Sequence, residues 1–234
     1  MAEQSVRDEL RGELALIRID DGKANALSPA LFEALHGALD RAEKEAKAVV
    51  LVGRPGRFSA GFDLSVLGKG GDSAVALITS GAEFALRLYE FPLPVVAACS
   101  GHALAMGALV LLAADVRIGA EGAFKIGLNE VAIGMTLPIF GVEFARARLS
   151  KRHFSRAVAN AEIYAPAGAV DAGFLDRVVA PESLEDEAIA EATKLAALHG
   201  RAHHYTKLRV RGDTLARIRA SLAADVRKLM GATC

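Results

Sequence analysis

Ser100-Gly101-His102-Ala103-Leu104-Ala105-Met106-Gly107-Ala108-Leu109-Val110 is the stretch on which the reading of the fold turns. Ser100 to Gly107 reads as a turn of small residues leading into a helix, and the apolar run extends from Ala103 to Ala114. At about 12 residues that run is too short to cross a bilayer and reads as a buried core helix. Small residues at a helix start leave the first backbone N–H groups uncovered. Those donors, reinforced by the helix dipole, favour an anion. His102 is read either as a general base or as a hydrogen-bonded structural residue of an apolar run.

On either side of this helix lie short apolar runs that read as strands, Val95 to Ala98 before it and Val116 to Ile118 after it. Further upstream, Val49 to Val52 is apolar without alternation, which predicts a strand covered on both faces. Leu14 to Ile19 is another strand, stopped by Asp20-Asp21-Gly22. Between these two, Ser28-Pro29 opens a helix with Ser28 as N-cap and Pro29 in the first turn. Leu27 and Phe32 take the positions of a hydrophobic staple, and Leu31, Leu35, Ala38, Leu39 and Ala42 form the buried stripe. Gly53 to Gly61 reads as a loop and Ser73 to Glu90 as a helix. Strand–helix units in series predict an α/β spiral rather than a sandwich. Beyond Pro138 the chain reads as almost entirely helical, with Ala167 to Ala172 a short helix and a late strand at Arg177 to Val179. Ser183 to Leu198 is a further helix, and Gly212-Asp213 separates two final ones. The expected organisation is a core over residues 1–180 and a C-terminal helical region over 181–234.

Composition narrows the class. The chain has 234 residues, 52% hydrophobic and 6% aromatic with no Trp, so its core is built from Ala, Leu, Val and Ile. Lys plus Arg and Asp plus Glu are each 28, giving zero formal net charge, which argues against nucleic acid as the main ligand. Met1 to Leu10 has no apolar signal core, and no membrane-spanning run is present, so a cytoplasmic location is expected. Cys99 and Cys234 form no paired framework and are read as reduced thiols; no metal-ligand set is assigned.

Two further segments carry chemistry. Phe58-Ser59-Ala60-Gly61-Phe62-Asp63-Leu64 places small residues where a ligand could approach the backbone, or is an ordinary turn before a helix. Phe124 to Met135 contains Glu130, the only carboxylate between Glu121 and Glu143, among mostly apolar neighbours. Such surroundings disfavour the charged form and raise the pKa, which suits a base that takes a carbon acid's proton and returns it. The alternative is a surface Glu on a loop.

Taken in order, these segments resemble the crotonase (enoyl-CoA hydratase/isomerase) superfamily from about Gly12 to Val179. Asn25-Ala26-Leu27 is similar to its first CoA-contacting loop, Ser59 to Leu64 to its Ala-Gly-x-Asp-Leu loop, and Ser100 to Ile118 to its second signature. The resemblance implies a spiral of ββα turns with a C-terminal helical region, acting on an acyl-CoA thioester. No permanently bound cofactor is implied, since the substrate carries the coenzyme A. It implies an oxyanion hole made by the N–H groups of Phe62 and Met106, Met106 standing where relatives usually have Gly. Each such donor contributes about 2.7–4 kcal/mol to the transition state in comparable holes. Ala24, Ala26, Ser59, Ala60, Asp63 and Leu64 are implied around the CoA, and Leu104, Gly107 and Leu109 around the substrate. Assembly as a homotrimer or dimer of trimers is implied as well, as is contact of some C-terminal basic residues, from Arg201 to Lys228, with CoA phosphates.

Position 109 separates the activities. Hydratases of this superfamily usually place a Glu two residues after the position matched by Gly107; here it is Leu109, while Glu130 matches the second glutamate. Hydration uses two carboxylates, whereas moving a double bond needs one. Ile126-Gly127-Leu128-Asn129-Glu130 also resembles the mitochondrial-type Δ3,Δ2-enoyl-CoA isomerases. The expected activity is therefore enoyl-CoA isomerisation with Glu130 as sole acid/base. The alternatives are hydration, another reaction of the superfamily such as thioester hydrolysis or decarboxylation, and a non-catalytic CoA-binding or scaffolding protein.

Overall fold

A computed structural model describes residues 5–231. The chain winds as repeated turns of two strands and a helix. Strands β1 (Val6–Arg11), β2 (Leu14–Ile19), β3 (Ala48–Gly53), β5 (Val95–Cys99), β7 (Val116–Ala120) and β9 (Arg177–Val179) form a six-stranded sheet in that order. Only the β1–β2 hairpin is antiparallel. A second, parallel sheet stacks β4 (Gly56–Ser59), β6 (Gly101–Leu104) and β8 (Ile126–Gly127). Each circuit thus contributes one strand to each sheet: β3 then β4, β5 then β6, β7 then β8. The crotonase-like spiral is the observed architecture.

Local sequence explains most elements. The hydroxyl of Ser28 accepts the Leu31 N–H at 3.2 Å and opens α1 (Pro29–Glu45), whose buried face is the expected stripe together with Phe32. Every residue of β3 is buried, as a strand covered on both faces requires. Small side chains in β5, Ala97, Ala98 and Cys99, let helices approach on both sides. α2 (Leu64–Leu67) and α3 (Gly71–Glu90) follow β4, and α4 (Met106–Ala113), buried along its whole length, follows β6.

After β8 the chain forms α5 (Ile139–Arg148), α6 (Lys151–Val158), α7 (Pro166–Ala172), α8 (Leu184–Ala196) and α9 (Gly200–Gly231). α8 covers the back of the larger sheet, with Leu184, Ala188 and Ala192 packed on Val50, Val96 and Ile118. α9 packs on α3 and α5.

Three expectations need correction. Ser100 to Gly107 is not simply a turn, because Gly101–Leu104 forms β6 between β4 and β8. The loop expected over Gly53 to Gly61 likewise contains β4. Gly212-Asp213 does not interrupt the last helix, which runs unbroken as α9. Burial of Leu215, Ile218 and Val226 along α9 outweighs the ~1 kcal/mol that an interior Gly costs a helix.

α9 is also joined to the core by buried charge. Asp115, after α4, accepts hydrogen bonds from Lys207 and Arg211 of α9, each at 2.7 Å. Lys207 further donates to the carbonyls of Phe91 and Leu93, and Arg211 to that of Tyr89. These cations complete the carbonyl end of α3, and the carbonyls of Leu112 and Ala114 at the end of α4 accept from Arg148. Cys99 is a free, buried thiol; Cys234 lies outside the described residues. No helix among the described residues is long and apolar enough to cross a membrane.

Candidate active site

The site is assembled where the β4–α2 loop meets the start of α4. Asn25, wholly buried with φ +52°, anchors it. Its amide donates to the carbonyls of Ile19, Arg57 and Phe58, and its Oδ1 accepts the Asp21 N–H. Two segments then pair through their backbones: Ala60 N–H to Ala24 C=O at 3.0 Å, Leu27 N–H to Gly61 C=O at 2.8 Å, and Asp63 N–H to Leu27 C=O at 3.0 Å. The Ala24 N–H and the Ala26 carbonyl are left without hydrogen-bond partners among the described residues.

This pairing brings Gly61 against α4. Gly61 has φ +94°, and a Cβ there would meet Ala105 Cβ at 2.9 Å, Leu104 O at 3.0 Å and Met106 N at 3.3 Å. Ala105, just before α4, also has positive φ, +49°, unusual for a residue with a side chain. The tight, strained turn from β6 into α4 is fixed by Ala105 N–H donating to Gly127 C=O, and by its own carbonyl accepting from Ala108 and Leu109. As a result the N–H groups of Phe62 and Met106 find no acceptor among the described residues. They lie on adjoining segments, the Met106 donor at the N-terminus of α4 and the Phe62 donor in the loop before α2.

Beside them is a cavity of about 460 Å³. Its walls are apolar: Phe62, Leu64, Leu67, Ile78, Leu109, Ile133, Met135, Pro138, Phe140 and Leu229, with Ala60 and Ala105 beside the loop. Glu130 is the one ionisable side chain among the lining residues, and Asn129 and Thr136 are the other polar side chains there. Glu130 is 7% exposed, and its Oε2 is buried without a hydrogen-bond partner. Burial raises its pKa from an ordinary 4.5 to about 7, because the cavity solvates the carboxylate poorly. Its backbone is held firmly: β8 pairs with β6, and the Glu130 carbonyl accepts from Ile133 at 3.1 Å and Met135 at 2.9 Å. The surface-loop alternative for Glu130 is therefore excluded.

The structure distributes the other expected residues unevenly. Phe62, Ala60, Leu64, Leu109 and Glu130 line one cavity. Ser59 is 1% exposed; its hydroxyl donates to Asn25 C=O and accepts from Gly61 N–H, so it braces the loop and is not open to a ligand. Asp63 caps α2, accepting from the N–H and hydroxyl of Ser65. Leu104 and Gly107 are not among the lining residues. Leu104 pairs with Gly127 in the small sheet, and a Cβ at Gly107 would fall 2.5 Å from Ser59 O, so its role is close packing. The Met106 side chain is buried, with its sulfur near Gly81 of α3; only its N–H belongs to the site. His102 is outside the cavity: its Nδ1 accepts the Lys125 N–H and its ring packs on Phe124. Three contributors escaped sequence reading. Ala105 carries its signal in backbone conformation alone. Asn129, whose Oδ1 is buried and unpartnered, was visible only as a neighbour of Glu130. Leu229 arrives from a distant helix.

The family model for enoyl-CoA hydratase/isomerase matches residues 9–230. Human mitochondrial enoyl-CoA delta isomerase 1 is 30% identical over 222 residues, covering 93% of this chain and 74% of that protein. An enoyl-CoA hydratase/isomerase family protein from Pseudomonas syringae superposes with TM-score 0.96 at 43% identity, over 98% of this chain and 100% of the other. A Mycobacterium tuberculosis protein, 40% identical, is described in one structure as an enoyl-CoA isomerase and in another as a probable hydratase. The first has TM-score 0.91 and covers 96% of this chain and 100% of that one; the second has 0.92 and covers 96% and 95%. Spiral fold, paired loops and full-length match together place this chain in the enoyl-CoA hydratase/isomerase family of the crotonase superfamily.

Proposed function

We propose that this protein is a Δ3,Δ2-enoyl-CoA isomerase in which Glu130 is the only acid/base. One observation carries the reading: a single carboxylate, unpartnered and with a raised pKa, faces a cavity in which Leu109 supplies an apolar wall. The thioester oxygen of a 3-enoyl-CoA accepts hydrogen bonds from the Phe62 and Met106 N–H groups. Ionised Glu130 takes a proton from C2, and the dienolate's charge rests on the thioester oxygen, where those donors stabilise it. The protonated carboxyl then returns the proton at C4, leaving the double bond conjugated at C2. A group with pKa near 7 serves both steps, since neither form is strongly preferred at neutral pH. The cavity's apolar walls keep water from the dienolate.

The free Ala24 N–H and Ala26 carbonyl, with Ala60, are suited to the CoA arm. The protein itself holds no permanent cofactor. We place the enzyme in the cytoplasm as a homotrimer or dimer of trimers, the mass to be measured by light scattering after size exclusion.

Hydration remains the second reading, supported by Asn129, whose unpartnered Oδ1 beside Glu130 could hold a water. Incubation with a 3-enoyl-CoA and, separately, a 2-enoyl-CoA distinguishes the two. Isomerisation yields the 2-enoyl product from the first and little 3-hydroxyacyl-CoA from the second. Rapid 3-hydroxyacyl-CoA formation would favour hydration, and saturable binding without any product would favour a non-catalytic role.

A further inference from the structure

We infer that the end of α9 is a wall of the acyl cavity that sets chain-length preference, and that Asp225 is the positioning residue that holds it there. The inference rests on the cavity being the acyl site. α5 begins at Ile139 after Pro138, which offers no side-chain cap. The Ile139 N–H is instead satisfied by Asp225 Oδ2 at 2.7 Å, from 86 residues further along the chain. A carboxylate at a helix N-terminus makes a charge-assisted bond and meets the positive end of the dipole.

Asp225 and Leu229 are four residues apart on α9, hence on one face. The contact that caps α5 therefore also directs Leu229 into the cavity, beside Phe140 of α5 and Ile78 of α3. Val226, 1% exposed, belongs to the main hydrophobic core. Upstream, α9 is joined to the body by Lys207 and Arg211 with Asp115, by Arg217 with Glu143 and by Arg219 with Glu90. Beyond Asp225, no side-chain hydrogen bond or ion pair connects α9 to the rest of the chain among the described residues. The last turns thus form a wall held by one polar contact and by apolar packing. A longer acyl chain must fit against it or displace it.

The test compares kcat/KM for 3-hexenoyl-CoA and 3-dodecenoyl-CoA in the wild type, Leu229→Ala, Leu229→Trp, Asp225→Leu and Asp225→Asn, with thermal melts to establish folding. Leu229→Ala should move the long-to-short ratio toward the long substrate by roughly tenfold, the scale of a small change in an apolar pocket. Leu229→Trp should move it the other way. Asp225→Leu should follow Leu229→Ala, with the change in KM more than in kcat. Asp225→Asn, whose amide oxygen still accepts the Ile139 N–H, should keep the wild-type ratio. If no protein isomerises either substrate, the proposed reaction fails, and the same ratios are read as Kd values for hexanoyl-CoA and dodecanoyl-CoA by calorimetry. In either format, ratios within about twofold of wild type for both folded Leu229 variants and Asp225→Leu overturn the inference.

Discussion

Replacing Glu130 by glutamine should slow the reaction and stabilise the protein, with the gain in stability governed by pH. Burial holds the folded-state pKa near 7, against 4.5 for an ordinary glutamate. At about 1.4 kcal/mol for each tenfold change in proton affinity, that difference amounts to about 3 kcal/mol. Below pH 4.5 the carboxyl is protonated in both folded and unfolded chains and contributes no difference. Between 4.5 and 7 the unfolded chain releases its proton while the folded protein retains it, so native stability falls as pH rises. Above 7 the loss is complete. Glutamine is neutral throughout and similar in size. The variant should match the wild type near pH 4.5 and exceed it by up to about 3 kcal/mol above pH 7. For a chain of this length that is a melting-temperature gain of roughly 6–12 °C at most. Turnover of a 3-enoyl-CoA should fall by about 10²–10⁴, the usual contribution of a positioned acid/base. Thermal melts of both proteins from about pH 4.5 to about pH 8, with absorbance of the conjugated product for rate, measure both halves. Titrations elsewhere in the protein cancel in the difference. A melting difference that stays constant across this range, or a variant with near-normal turnover, would refute the reasoning.

Wild-type kcat/KM for the 3-enoyl substrate should rise with pH through an apparent pKa near 7, since the ionised form is the base; a flat profile from pH 5 to 8 would count against it. Leu109→Glu should lower isomerisation, because a second carboxylate in the cavity raises the Glu130 pKa further. It should add at most weak hydration, since the new group lacks contacts to orient it, and assay of both substrates against pH checks this. Gly61→Ala should cost about 1–3 kcal/mol in denaturant melts through its positive φ and the approach to Ala105. The same change, by shifting the Phe62 N–H, should cost about 10²–10³ in kcat if that donor's contribution is lost.

What the sequence disclosed followed physical range. α1 was legible because Ser28, Pro29, Leu27 and Phe32 act within a few residues of one another. β3 was legible because a strand buried on both faces is an unbroken apolar run. β1 was not, since five of its six residues are exposed and its charges hide the strand. β6 and β8 are four and two residues long, and exist because the spiral stacks them on β4; no local propensity marks such pieces. At the site, Glu130 stood out by chemistry against its neighbours, Leu109 only through the resemblance to the superfamily, and the small residues at 59–61 marked a close approach. Ser59 and Gly107 were correctly conspicuous, yet their function is packing and bracing, which depends on which atoms meet across the fold. Leu229 and Asp225 carry no local signal at all, because α9 reaches the cavity only after folding.

The central claim is that one carboxylate carries the proton from C2 to C4, and a label can follow that proton. A 3-enoyl-CoA dideuterated at C2 should give, in a single turnover in ordinary water, 2-enoyl product with a substantial share of deuterium at C4. Glu130 is almost wholly buried, so exchange with solvent should be slower than return of the label, and Glu130→Gln should give almost no product. Normal turnover with no deuterium at C4 would contradict the account, placing the second proton transfer on water or on another group.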